Sequence, residues 1–217
     1  MKDFHILWAT ARPKQAAETY QVWYGNARDK WRLHFRFNTV ESAGELDLPR
    51  VDAVLTDPDR IGVCNALYKL TQPLEVDNDD VVIVASDDVY PPLNFDTLLD
   101  AVLTCKRGML WVGDGWHTNR DIIAVPICDG QTFKTLNKVI YHPSYHHLWS
   151  DNELWQNCKD LSLLVDMRDR LTFEHKHYYA GKRRTDAVDA KIQSWQVSDR
   201  ENWAKRSKMP VEDRLKV

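Results

Sequence analysis

The sequence has no pair of cysteines at CxxC spacing. Its four cysteines, Cys64, Cys105, Cys128 and Cys158, are scattered. This argues against a disulfide framework or a thiolate zinc site and makes a reducing, cytoplasmic setting the expectation. No apolar run approaches the ~20 residues that cross a bilayer. The apolar stretch at the start, MKDFHILWAT, is too short for a signal peptide and runs directly into Ala11-Arg12-Pro13. No glycine-rich phosphate loop follows the first apolar run, where only Arg12 and Lys14 are basic. There is no excess of positive charge either: 29 Lys+Arg stand against 32 Asp+Glu, a net charge of -3. A nucleic-acid binder working through bulk charge is therefore excluded. Internal repeats and low-complexity segments are also missing.

What is present is a globular balance of 43% hydrophobic and 28% charged residues in 217. That length suits one large domain with a small appendage. Charge is unevenly placed. Residues 45–100 hold thirteen acids and three bases, whereas 170–217 hold twelve bases and seven acids. An acidic middle suits a cation and a basic tail suits an anionic ligand, although charged runs are commonly just solvated surface.

Periodicity predicts strands over 4–9, 31–37, 51–56, 81–85, 109–112 and 122–127, and helices over 14–24, 60–70 and 95–105. Asp57-Pro58-Asp59 breaks the chain before the second helix and offers it a cap. VVIVA at 81–85 reads as a central strand covered on both faces. The order predicts a mostly parallel α/β sheet flanked by helices, in a single domain over 1–185. Two short helices are expected in the tail, 186–217, with Ser198 and Glu201 forming a capping box for the second.

The chemistry gathers in three places. Ser86-Asp87-Asp88 follows VVIVA, where open α/β sheets collect ligands. Adjacent carboxylates repel unless a cation is near, and Mg²⁺ or Mn²⁺ with phosphate oxygens suits such a pair. Asp151-Asn152-Glu153 opens a predicted helix, so one carboxylate is a candidate general base while Ser150 or Asp151 is a candidate N-cap. Glu174-His175-Lys176-His177 sets two histidines on one side of an extended segment, either able to complete a metal shell. Gly181-Lys182-Arg183-Arg184 follows, a basic stretch able to hold a leaving phosphate. His142, His146 and His147 have no established zinc spacing.

In this order, with YHPSYHHLWSDNELW followed by FEHKHYYAGKRRTD, these features resemble the GT-A-fold glycosyltransferases, in particular the small phage or bacterial members of glycosyltransferase family 2. The resemblance covers about 4–189. It implies a Rossmann-like GT-A sheet and transfer of a sugar from a nucleotide diphosphate sugar, commonly a UDP-sugar, to an acceptor hydroxyl with inversion.

By that resemblance Asp88 matches the last acid of a DXD motif and binds Mn²⁺ or Mg²⁺ with His175, and Asp87 lies beside the ribose or the metal. Ser86 stands where the motif has its first acid. Thr10, Ala11 and Arg12 match the turn that holds the nucleotide, and Asp57 the acid at the base edge. Asp151 matches the base and Glu153 a second acid near the acceptor or donor sugar. Lys182 lies in the segment that closes over the diphosphate. Flat indole faces suit sugars; Trp116 and Trp149 are expected near the acceptor, and Trp8 and Trp111 in the core. The acceptor stays open among a glycan, a lipid-linked sugar, a protein and a modified DNA base. A sugar nucleotidyltransferase and a non-catalytic nucleic-acid-binding module are the competing readings.

Overall fold

The computed structural model describes residues 2–39, 48–57, 62–117, 120–177 and 181–217. Nine strands are present among them: β1 Phe4–Thr10, β2 Leu33–Thr39, β3 Val51–Thr56, β4 Val81–Ala85, β5 Val89–Tyr90, β6 Met109–Trp111, β7 Ile127–Asp129, β8 Leu164–Asp166 and β9 Glu174–His175. The helices are α1 Pro13–Asn26, α2 Val63–Thr71, α3 Phe95–Cys105, α4 Gly130–Thr135, α5 Ser150–Asp160, α6 Ala187–Ser194, α7 Gln196–Arg206 and α8 Val211–Arg214.

Seven strands form one sheet in the order β3-β2-β1-β4-β7-β6-β8. β7 runs antiparallel to both β4 and β6, and the other pairings are parallel. The expected mostly parallel α/β sheet is therefore found. Successive side chains of a strand face opposite ways, and β1 and β4 use both faces. Phe4, Ile6, Trp8, Val81 and Ile83 pack with α1 and α3 on one side. Leu7, Val82 and Val84 pack with α2, α4 and α5 on the other. All five residues of β4 are buried, which explains its unbroken apolar run.

Several boundaries differ from expectation. The second strand begins at Leu33, because Lys30–Arg32 form a 3-10 turn. The expected strand over 122–127 is displaced to Ile127–Asp129. Pro126 has no N–H to give a ladder, and its carbonyl instead accepts from Val84 N. α2 starts after Gly62, at φ 88°; the expected cap residues Pro58 and Asp59 lie outside the described residues. The tail forms three helices. Its capping box is Asp186 with Asp189 on α6, while Ser198 sits inside α7 and donates to Trp195 O. All four cysteines are unpaired. Among the described residues no helix is long and apolar enough to cross a membrane.

A separate two-stranded ribbon pairs β5 with β9, Val89 opposite His175. This short ladder brings the late histidine segment to the end of β4.

Candidate functional site

The carboxyl ends of the parallel strands open into a cleft of about 710 Å³. The turn after β1 supplies Thr10, Ala11 and Arg12. The end of β3 supplies Asp57, and the end of β4 supplies Ser86, Asp87 and Asp88. The loop after β6 supplies Trp116 and His117, the start of α5 supplies Trp149 and Asp151, and β9 supplies His175. Of the expected site residues, only Glu153 and Lys182 do not line it.

Asp87 is tied to the first strand. Its Oδ1 accepts from Trp8 Nε1 at 2.9 Å and its Oδ2 from Thr10 Oγ1 at 2.9 Å. Burial raises its carboxyl, those two donors lower it, and the neighbouring Asp88 charge raises it again; the outcome is about 6. Asp88 goes the other way. Burial would raise it, but the hydrogen bond and charge of His175, with Ser86 and Arg183, hold it well below the usual carboxylate range. His175 Nε2 lies 3.3 Å from Asp88 Oδ1, and Ser86 Oγ donates to the same oxygen at 2.9 Å. Arg183 Nε faces Asp88 Oδ2 at 3.3 Å. Position 86 thus serves the acid pair as a donor.

Asp57 pairs with Lys69 at 2.6 Å. Lys182 stands 3.5 Å from Glu174 Oε1, and Arg183 is the member of that basic stretch that reaches the acid pair. Asp151 lies in the first turn of α5, with Asn152 N on its Oδ1 at 3.0 Å. Burial raises its carboxyl above the ordinary value, a condition that suits a general base. The residue before the helix, Trp149, has φ 68°. An indole-bearing residue held in left-handed backbone is strained, a feature that gathers at functional sites.

Glu153 turns away from the cleft. It is 2% exposed, accepts from Arg206 on both oxygens at 2.9 Å, and receives Tyr145 Oη at 2.8 Å. Two residues of helix, at about 100° each, set it about 200° around the axis from Asp151, so the two carboxylates of the DNE element face opposite sides.

Asp114, His117, Arg120 and Asp199, outside the expected set, lie in or beside the loops of the cleft. Asp114, 4% exposed, accepts from the amides of Trp116 and His117 and from His117 Nδ1 at 2.5 Å. Burial would raise its carboxyl, but the His117 and Trp116 donors bring it to about 2. The carbonyl of Asp114 also accepts His175 N at 2.9 Å, joining this loop to the histidine strand. Trp116 is stacked on His177 at 4.8 Å, with Arg120 over the ring at 5.6 Å. From the tail, Asp199 is 1% exposed and accepts the amides of His146, His147 and Leu148, fixing the loop that enters α5. The histidine cluster is used likewise: His142 donates to Lys216 O at 2.8 Å, and His146 to Asp199 at 3.0 Å.

No family model matches the sequence, and no curated protein matches it. Solved structures do. S. aureus TarS 1-349 in complex with UDP superposes with a TM-score of 0.64 at 10% identity, over 99% of this chain and 77% of that one. The chain has a GT-A-like fold. The mannosyltransferase PcManGT from Pyrobaculum calidifontis, in complex with GDP-Man and Mn²⁺, gives a TM-score of 0.60 at 12% identity, over 79% of this chain and 56% of that one. An active-site mutant of LgtC gives 0.51 at 13% identity, over 95% and 85%. Against a longer S. aureus TarS chain, this chain spans 36% of the partner's length. In this GT-A-like sheet the cleft lies at the carboxyl edge, where the β3 and β4 ends carry Asp57, Asp87 and Asp88 and the β1 end carries Arg12.

Proposed function

We propose that the protein is a glycosyltransferase that moves a sugar from a nucleotide diphosphate sugar to an acceptor hydroxyl, with inversion. The observation that carries this reading is the convergence of Asp88, Asp151 and His175, far apart in sequence, on one cleft of a GT-A-like fold. Glycosyl transfer needs a neutralised leaving group, a proton acceptor for the incoming oxygen, and reactants held in line away from water. The cleft offers a residue for each need.

A divalent cation fits the residues at the β4 end. Asp88 stays ionised and His175 stands beside it, an oxygen and an imidazole donor to which diphosphate oxygens and water add. His175 Nδ1 is buried without a partner among the described residues. Among the described residues the carboxylates of Asp87, Asp88, Asp186 and Asp189 are shared by two guanidinium groups, Arg12 and Arg183, with His175 beside Asp88. That excess of carboxylates suits a cation. No group of three or more His, Cys, Asp or Glu side chains assembles among the described residues, so substrate phosphate would supply the remaining ligands. Bound there, Mn²⁺ or Mg²⁺ acts as a Lewis acid on the leaving diphosphate.

The chain's own residues do the rest. Thr10, Ala11 and Arg12 border the nucleotide, with Asp57 at the far wall. Asp151 takes the acceptor's proton as the acceptor oxygen bonds to the anomeric carbon and the bond from that carbon to the diphosphate breaks. Arg183 and Arg12 meet the negative charge released on the diphosphate. The donor is a UDP-sugar in this reading, as UDP and UDP-GlcNAc are the ligands of the similar TarS structures.

The test is a panel of nucleotide sugars in a thermal-shift assay with and without Mn²⁺. A true donor raises the melting temperature by mass action and is turned over with release of nucleoside diphosphate. A panel that produces neither shift nor turnover removes the proposal.

A further inference from the structure

The tail carries a carboxylate that turns inward, away from solvent. Asp189, the third residue of α6, is 2% exposed. Its Oδ1 accepts Arg12 Nη2 at 2.8 Å and Arg183 Nη2 at 2.7 Å. Its Oδ2 accepts Arg183 Nη1 at 2.6 Å and the amide of Asp186 at 3.0 Å. Four donors thus converge on one buried carboxylate.

The geometry decides which edge of each arginine faces the cleft. Arg183 lies fork to fork on Asp189 through Nη1 and Nη2, which turns its Nε toward Asp88 Oδ2 at 3.3 Å. Arg12 is gripped by Asp186 through Nε at 2.6 Å and Nη2 at 3.0 Å, and by Asp189 through Nη2. Its Nη1 is left 3.8 Å from Asp87 Oδ2. Two guanidinium groups from opposite ends of the chain are held from the tail side and present an edge to the acid pair. A planar guanidinium fixed in this way recognises phosphate oxygens with geometric selectivity that a loose cation lacks. A flexible arginine loses rotamer freedom on binding, and one already anchored does not.

We infer that Asp189 is a positioning residue of the donor site, holding Arg12 and Arg183 where they engage the diphosphate of the incoming nucleotide. This rests on the glycosyl-transfer reading and extends it: helix α6 of the tail belongs to the donor pocket, through a residue that need not touch the ligand. Asp186 is its exposed partner on the arginine side and the N-cap of the same helix.

Isothermal titration with UDP and GDP, each in the presence of Mn²⁺, tests this against UMP and GMP. Asp189→Asn puts an amide N–H against arginine N–H groups and releases the fork. Diphosphate affinity is expected to fall roughly ten- to a hundredfold, as for other residues that orient a ligand-binding group, with monophosphate affinity much less affected. Arg183→Gln is expected to lose diphosphate affinity as well, and the double variant to lose less than the sum of the two single losses, because Asp189 acts in part through Arg183. Hydrogen exchange of α6 is expected to slow when UDP or GDP is added to the wild type. Unchanged diphosphate affinity in Asp189→Asn, equal losses for mono- and diphosphates, or additive losses in the double variant would each overturn the inference while leaving the proposed function standing. Should Asp189→Asn fail to fold, Arg183→Gln alone decides: undiminished diphosphate affinity overturns it. A wild type that binds neither UDP nor GDP removes both.

Discussion

Arg206 lies fork to fork on Glu153, 2.9 Å from each oxygen, on the side of α5 that faces away from the cleft. The pair joins the tail helix α7 to the helix that carries Asp151. Arg206 also donates to the carbonyl of Arg214, so α8 is held by the same side chain. Both members are at most 8% exposed. Removing one partner strands a buried charge, which costs about 3–5 kcal/mol. Glu153→Ala is therefore expected to lose that much stability in urea unfolding. If Glu153 instead met the sugar, the variant would keep its unfolding midpoint and lose turnover.

Asp151→Asn isolates the proposed proton acceptor. The amide keeps the shape of the side chain and an oxygen for Asn152 N but cannot take a proton. Turnover is expected to drop at least about a hundredfold, with the donor Kd nearly unchanged because the proton is handled on the acceptor side. Burial raises the Asp151 carboxyl, so it stays protonated to a higher pH than a free carboxyl. The acidic limb of the wild-type rate profile should thus lie above the ordinary aspartate value of about 3.9. Undiminished turnover in Asp151→Asn rules out the assignment.

The sheet was legible because its signal is local. VVIVA is apolar at every position since β4 is covered on both faces, and helix periodicity marked α3 to the residue. The strand expected over 122–127 failed on Pro126, a residue whose missing N–H was visible in the sequence but was outweighed by the apolar run. The capping box was placed at Ser198 when Asp186 and Asp189 carry it. Both sites fit a short pattern, and only the helix start separates them. The lining of the cleft was legible where a residue's place follows from a strand end, as for Asp88. It was not where the partner decides. Nothing within the DNE element tells that Arg206 lies opposite Glu153, fifty-three residues on, or that Asp189 holds Arg183 where Lys182 was expected. The two-residue ribbon of β5 and β9 has too little sequence to announce itself, yet it sets His175 beside Asp88.

Chelation tests the cation at Asp88. EDTA is expected to abolish transfer, and Mn²⁺ or Mg²⁺ to restore it. Asp88→Asn separates the cation from the fold. Arg183 keeps its grip on Asp189 in that variant, so the chain should still fold. Affinity for UDP measured without metal should be little changed, whereas the gain that Mn²⁺ gives the wild type should vanish. Full wild-type turnover in excess EDTA contradicts the role.

His147 makes stability depend on pH. It lines the cleft in the loop that Asp199 fixes. Burial lowers its imidazole to about 4, against the pull of the Asp88 and Asp199 charges. The folded protein therefore keeps His147 neutral where the unfolded chain, near 6.5, takes up a proton. Between those two values the unfolded state binds more protons, so stability rises with pH across the window and falls as the solution is acidified. Above about 6.5 both states are neutral at this residue and its contribution is flat. His147→Gln removes the proton-binding group from both states and should shallow the slope between pH 4 and 6.5, leaving the slope above 7 unchanged. Urea midpoints of the two proteins at half-unit pH steps give the comparison. Parallel curves through the window would mean that His147 titrates alike folded and unfolded.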